Sequence, residues 1–163
     1  MAQSAYVLSD EGRTFSATND SGTTAIFAGD IVYTGTINDK FTGTAARVRS
    51  AYAVADVLIK GMLWSATGYK NVVGVALEDI PAAKVGAVST TGLWFHAVSA
   101  DTEAGDALMG HAGTANRVKV IPAVTSGSTT ANAASCDLLK YKIGTAITGG
   151  SAAGKFILWK LNI

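Results

Sequence analysis

The chain has few of the residues on which most metal, redox and nucleophilic sites are built. Its 163 residues include one cysteine, Cys136, and two histidines, His96 and His111. One thiol cannot form an intrachain disulfide, and the two histidines have no cysteine or further histidine at metal-ligand spacing. No Gly-x-Ser-x-Gly elbow and no Gly-Lys-Ser/Thr phosphate loop occurs. We therefore expect no metal, no cofactor and no enzymatic activity.

Charge is also scarce and balanced. Lys and Arg number 13, Asp and Glu number 12, and the formal net charge is +1. Nucleic-acid binding needs a basic surface that displaces counterions from phosphates, so we expect no nucleic-acid partner. The sequence has no apolar run long enough to cross a membrane and no secretory signal at its start. We expect a protein made in the cytoplasm, without a membrane partner.

What is present is a pattern of short strands. Apolar or alternating runs are separated by clusters of Gly, Asn, Asp, Ser and Thr, and there are only two prolines. This pattern predicts an all-β fold, a compact β-barrel or β-sandwich with few or no helices. The best helical candidates are short, Ile80–Val85 and Thr129–Asp137. The candidate strands are Asp30–Thr34, Ala45–Tyr52, Asp56–Ile59, Val72–Leu77, Gly86–Ser89, Leu93–Val98, Arg117–Ile121, Leu138–Ile143 and Lys155–Leu161.

The first 25 residues differ from the rest of the chain. They are mostly polar, with Tyr6, Val7, Leu8 and Phe15 as isolated apolar residues. We expect residues 1–25 to form a mostly extended N-terminal arm that is mobile in the free protein and adds a strand to a partner's sheet edge. The alternative, in which this segment is the first strand of the domain itself, stays open. Residues 26–163 form the β-rich domain.

Two short motifs recur along the chain. Ala28-Gly29-Asp30 returns as Ala104-Gly105-Asp106, and Gly74-Val75-Ala76-Leu77 returns as Gly144-Thr145-Ala146-Ile147. The recurrence suggests a weak internal duplication over residues 26–80 and 100–150. Chance recurrence of common residues is the alternative.

Two predicted strands are apolar on both faces. Trp94 and Phe95 are adjacent and so face opposite sides of one strand, and in Lys155–Leu161 apolar side chains again fall on both sides. Each of Trp94 and Trp159 lies either in the core or at an interface. A strand with two apolar faces needs a second covering layer, so we expect a homo-oligomer, most simply a trimer.

A pair of arginines offers a charged candidate site. Arg47 and Arg49 project from one face of the predicted strand Ala45–Tyr52, while Ala46 and Val48 lie on the other. They either meet acidic groups of a partner or form a solvated strand face.

The order of motifs in the second half of the chain resembles that of a known family. The segments are Val73–Ile80, Gly86-Ala87-Val88, Thr91–Phe95, Ala104–Leu108, Ile143–Ile147 and the final strand Lys155–Asn162. This order is similar to that of the capsid cement, or head decoration, proteins of tailed double-stranded DNA phages. The similarity covers Val72–Asn162. It departs from the family pattern at Met109, where the family has an aromatic residue, and residues 1–70 have no clear counterpart.

The resemblance implies a non-enzymatic structural protein of the virion. Members bind the outer surface of an expanded icosahedral head, usually as trimers, and clamp neighbouring capsomers. The implied partners are the major capsid protein and further copies of this chain. The alternatives are another phage structural subunit, of the tail tube or head completion, and a carbohydrate-binding or adhesion module. The candidate capsid or subunit contacts are Tyr6, Leu8, Phe15, Arg47, Arg49, Trp94 and Trp159.

Overall fold

The computed structural model describes residues 7–9, 13–34, 58–61, 71–111, 114, 116–123 and 137–163, and their regular secondary structure is almost entirely β-strand. A helical turn covers residues 137–139. The strands are β1 (Val7–Ser9), β2 (Thr14–Asn19), β3 (Ile31–Tyr33), β4 (Leu58–Gly61), β5 (Val72–Ala76), β6 (Val85–Ser89), β7 (Thr91–Val98), β8 (Ala107–Gly110), β9 (Arg117–Val120), β10 (Gly144–Ala146) and β11 (Phe156–Asn162). The predicted all-β fold is confirmed.

The strands form two rings that share no strand. The first barrel is closed in the order β2-β4-β3-β5-β6. The second set runs β7-β11-β10-β8-β9, and a further pairing of β9 with β7 joins its ends, so we call it the second barrel. Strand β1 pairs with the start of β7, opposite Leu93 and Trp94. Closing a sheet on itself leaves few unpaired strand edges, which suits a chain of short strands.

The two barrels repeat the same connectivity. In each, the first strand pairs antiparallel with the fifth and parallel with the third, while the second pairs antiparallel with the third and the fourth. The registers repeat as well: Val32 lies opposite Gly74 in the first barrel, and Leu108 lies opposite Gly144 in the second. Equivalent positions can therefore be compared residue by residue.

The two Ala-Gly-Asp motifs form the same turn before the second strand of each barrel. Gly29 and Gly105 have φ angles of 87° and 96°, which glycine adopts without a steric penalty. The Asp30 carboxylate accepts a hydrogen bond from Phe27 N at 2.9 Å, and the Asp106 carboxylate accepts one from Glu103 N at 2.8 Å. The predicted duplication stays a prediction about ancestry, but its motifs occupy equivalent sites.

The repeats fill one core position by opposite means. A Cβ added at Gly86 would lie 2.7 Å from Ile80 Cδ1, so Gly86 leaves the space that Ile80 fills. In the second barrel, Gly150 is equivalent to Ile80 and Ile157 is equivalent to Gly86. A Cβ on Gly150 would lie 2.9 Å from Ile157 Cγ2. In the first barrel the large side chain belongs to Ile80, which forms a bridge with Ile26; in the second it belongs to Ile157 on the final strand.

Two predicted elements take a different form. The segment Leu138–Ile143 was predicted as a strand, but Tyr141 N and Lys142 N donate to the carbonyl oxygens three residues earlier, which closes a helical turn. The helix predicted over Ile80–Val85 is instead a bridge followed by a turn, with Ala83 at a φ of 59°. The predicted strand Ala45–Tyr52 and residues 129–136 of the second helical candidate lie outside the described residues. The sequence analysis did not predict β1, β2, β8 and β10.

Residues 14–19 of the predicted N-terminal arm are an integral strand. Residues 14–19 form β2, which pairs with both β4 and β6 of the first barrel. Ala17 and Asn19 are buried, and the Asn19 amide donates to Ile80 O at 2.8 Å. For residues 14–19 the structure therefore agrees with the alternative stated above, in which this segment is a first strand of the domain itself. Ala17 and Asn19 are buried by strands that lie far away in the sequence, so the local pattern of side chains does not show their burial.

The opposed sizes of Ile80 and Gly86 give a prediction about packing. Gly86→Ala will lower the free energy of unfolding by about 1–3 kcal/mol, because the new methyl group overpacks against Ile80. In the Ile80→Ala background the same change will cost much less, since the obstructing side chain is gone. Urea unfolding of the two single variants and the double variant measures the coupling. The same cycle with Ile31→Ala as control will be additive; additivity with Ile80→Ala would contradict this packing.

Candidate interaction surface

The two barrels are joined by a buried histidine. His96 lies on the inner face of β7, has no exposed surface, and places Nε2 2.8 Å from the carbonyl oxygen of Gly29 in the first barrel. Trp159 Nε1 donates to His96 Nδ1 at 3.0 Å, and the two rings meet edge to face with centroids 5.6 Å apart. The indole N–H can only donate, so Nδ1 must accept and the proton lies on Nε2, which donates to Gly29.

A second polar contact crosses the same junction. Asn116 Oδ1 accepts from Ile31 N at 3.0 Å, and Asn116 Nδ2 donates to the Asp30 carboxylate. Burial raises the pKa of Asp30, the hydrogen bonds from Phe27 and Asn116 lower it, and the neighbouring Asp79 carboxylate raises it further. Ile31 and Val75 of the first barrel pack in the same apolar cluster as the interior of the second. The junction is therefore both packed and hydrogen-bonded.

The structure places the predicted contact residues in different environments. Trp94 and Trp159 are 1% and 0% exposed and lie in the core, which corrects their assignment as contact residues. Phe15 is partly buried against the core of the first barrel. Leu8 lies on β1, where only the backbone is described, and Tyr6, Arg47 and Arg49 lie outside the described residues.

An apolar strip covers the outside of the second barrel. On β7 and β11 the inner residues alternate with outward ones, and Phe95 lies directly opposite Leu158. Phe156 is 55% exposed and Ile147 is 43% exposed, while the other members are partly exposed. We call this surface the outer strip and define it by Phe95, Ala97, Ile147, Phe156 and Leu158. Exposed contiguous apolar surface of this kind is typical of interaction sites.

The first barrel shows that the fold does not require an apolar surface here. The strand registers give the equivalents of the outer strip as Ser16, Thr18, Leu77, Val85 and Ala87. Four of these five are smaller or more polar than their counterparts. The same strand positions therefore tolerate both kinds of side chain, and the large apolar ones in the second barrel need another explanation than folding.

The alternation in residues 155–161 already separated Phe156 and Leu158 from Ile157 and Trp159. The sequence analysis did not show which face of β11 points into the barrel; the structure has Ile157 and Trp159 inside and Phe156 and Leu158 outside. Ile147 had no signal beyond its place in a repeated motif. Lys160 lies on β11 and Lys155 directly precedes it; both are exposed and lie beside the outer strip.

Other site types find no support in the part of the chain that the structure describes. No group of three or more His, Cys, Asp or Glu side chains there could hold a metal ion. Among the same residues, no helix is both long enough and apolar enough to cross a membrane.

Among the comparisons with known proteins, only the one with solved structures finds matches. No protein-family model matches the chain, and no curated protein matches it in sequence. The chain is similar in structure to the N base of the head fiber protein gp8.5 of bacteriophage phi29, with 13% identity and a TM-score of 0.46 over 91% of this chain and 92% of that one. That TM-score is too low for the likeness to carry an argument about function.

The burial of His96 predicts an acid-sensitive junction. Loss of hydration lowers the pKa of His96 from 6.5 to about 4, partly offset by the hydrogen bond to Gly29. The unfolded chain takes up this proton first, so the stabilisation is complete above about pH 6.5 and is lost as the pH falls towards 4. The loss amounts to about 3 kcal/mol.

Unfolding measured in urea from pH 7 to pH 4 checks this prediction. His96→Gln, which keeps a donor and an acceptor but does not titrate, will flatten the pH dependence by that amount. His111→Gln is the comparison: burial lowers the pKa of His111 too, but its ring is only partly buried, so this variant will change the slope less. An unchanged slope in His96→Gln would show that His96 titrates alike in the folded and unfolded states.

Proposed function

We propose that this protein is a non-enzymatic structural protein of a tailed phage that binds the outside of an icosahedral head and holds neighbouring capsomers together. The observation that carries the proposal is the ordered set of motifs over Val72–Asn162 that resembles the cement proteins. In the fold these motifs lie on β5, β6, β7, β8, β10 and β11 or on the turns that connect them. They include every residue of the outer strip except Ala97.

The physical properties of the two barrels support this role. A protein that reinforces a shell must resist distortion itself, and here buried hydrogen bonds and packed side chains tie one barrel to the other. It also needs surface that the fold leaves uncovered, which the outer strip supplies. On a lattice of repeated sites, weak individual contacts sum to firm attachment.

The structure gives less support to a carbohydrate-binding module. Such modules stack exposed flat aromatic rings on sugars. Trp94 and Trp159 are buried, with their indole N–H groups bonded to Thr91 O and His96 Nδ1. Neither ring is presented to a ligand.

Virions produced with and without an intact gene for this chain test the proposed function. Cryo-electron microscopy of intact virions will show two-barrel density on the outer face of the head. Heads without the protein will lose that density and release their DNA at a lower temperature. Density in the tail would refute the proposal and is the result expected of a tail-tube subunit. Virions that lack the protein altogether would refute it as well.

A further inference from the structure

One end of the outer strip is bordered by cations. Phe156 on β11, Ala97 on β7 and Arg117 on β9 lie side by side on adjacent strands, so their side chains share the outer face. Lys119, two residues further along β9, is exposed on the same face, and the exposed Lys155 directly precedes Phe156. We call Arg117, Lys119 and Lys155 the basic end of the strip.

The cations of the basic end have no acceptor in the part of the chain that the structure describes. None of the three side chains forms a hydrogen bond or an ion pair with a described residue. Burial lowers the pKa of His111, and the charges of Lys119 and Arg117 lower it further, so positive charge is concentrated here. A neutral partner that covered this end of the strip would remove water from the cations and give them nothing in exchange. A partner that covers it therefore needs carboxylates at this end.

The first barrel has a different combination of residues at the same strand positions. The registers place Leu58 at the position equivalent to Arg117, and Val85 at the position equivalent to Phe156. The two lysines of the basic end have lysine equivalents in the first barrel, Lys60 and Lys84. A phenylalanine beside an arginine is therefore particular to the second barrel, and the repeated fold does not require it.

We propose that the outer strip and its basic end together bind an acidic amphipathic helix of a partner protein. Strands β7 and β11 are each paired on both sides, so the partner contacts side chains and does not add a strand to the sheet. Outward residues two apart on a strand are separated by about 7 Å, close to the spacing of about 6 Å between helix residues i and i+4. Apolar residues at that helical spacing cover Phe156 and Leu158, and carboxylates of the helix lie against the basic end. Apolar packing supplies contact energy, while the charges set the direction of the helix.

Single-stranded nucleic acid, another polyanion, suits this surface less well. It binds where bases stack on aromatic rings along a positively charged groove. In the outer strip, Ala97, Ile147 and Leu158 are aliphatic, and the net charge of the chain is only +1. On a phage head the acidic helix would belong to a protein of the shell, and that extension rests on the proposed function.

Binding of synthetic peptides to the full-length chain tests the proposal. The probe is a fluorescent peptide of about 18 residues, with Leu and Phe on one helical face and Glu on the other. Fluorescence anisotropy at low salt will show that the wild type binds it. A peptide with Lys in place of Glu, or with Ser in place of Leu and Phe, will bind at least about tenfold more weakly.

Two matched double variants test the basic end. Arg117→Gln with Lys155→Gln will weaken binding of the Glu peptide by about three- to tenfold, as expected for the loss of two exposed charge pairs. Arg13→Gln with Lys84→Gln removes the same charges from the first barrel and will bind as the wild type does. Lys84 is the equivalent of Lys155, so this control differs in its barrel and not in its chemistry.

Four results would overturn the proposal. The first is a wild type that does not bind the Glu peptide at high micromolar concentration. Equal binding of the Glu and Lys peptides would show a non-selective apolar surface, and tighter binding of oligothymidine would assign the surface to nucleic acid. Unchanged affinity of the Arg117→Gln, Lys155→Gln variant, with thermal unfolding that matches the wild type, would exclude the basic end. Because no phage head is present, each result leaves the proposed function to its own test.

Discussion

The hydrogen bonds of His96 are the constraint on which the arrangement of the two barrels depends. The ring is fully buried, and each nitrogen has one partner, Trp159 on the inside of the second barrel and Gly29 on the first. Because the indole N–H fixes the tautomer, only a carbonyl or another acceptor can satisfy Nε2. The left-handed glycine of the Ala-Gly-Asp turn presents that carbonyl. Loss of either partner would leave a buried polar atom unpaired, at a cost of about 1–3 kcal/mol.

The repeated topology shows how the same scaffold serves two roles. Ile31 and Val75, on the second and fourth strands of the first barrel, pack in the cluster that includes the second barrel's interior. Their equivalents in the second barrel are Ala107 and Thr145, which are partly exposed. At the place where the first barrel packs against the second, the second barrel therefore has smaller or more polar side chains. Its large outward side chains lie on the outer strip instead, at positions where the repeated fold does not require them.

The sequence predicts strands well where apolar and polar side chains alternate, and poorly where the space between packed strands determines which residue fits. Period-two patterns gave β7, β9 and β11 to within two residues. They could not show that Trp159 points inward and Phe156 outward, since both faces are apolar. Gly144 was not expected to lie in a strand, but a Cβ there would strike Lys160 O and the Trp159 ring, so close approach between strands selects glycine.

The same limit explains the errors at β2 and at residues 138–143. Polar, small residues at 14–19 were predicted to form an arm, because their burial depends on the tight interior of a barrel formed by distant strands. Leu138 and Leu139 are adjacent apolar residues, which suit a strand buried on both faces equally well as a helical turn. The resemblance to cement proteins located the segment that carries the outer strip, but not the residues within it.

The central claim is that the outer strip serves a partner and not the fold. The most direct measurement compares unfolding with binding to phage heads in one variant, Phe156→Thr with Leu158→Thr, because β-branched threonine is well suited to a strand. The account predicts a free energy of unfolding within about 0.5 kcal/mol of the wild type. It also predicts that occupancy of phage heads is lost. A variant that is strongly destabilised but still assembles on heads would contradict the account.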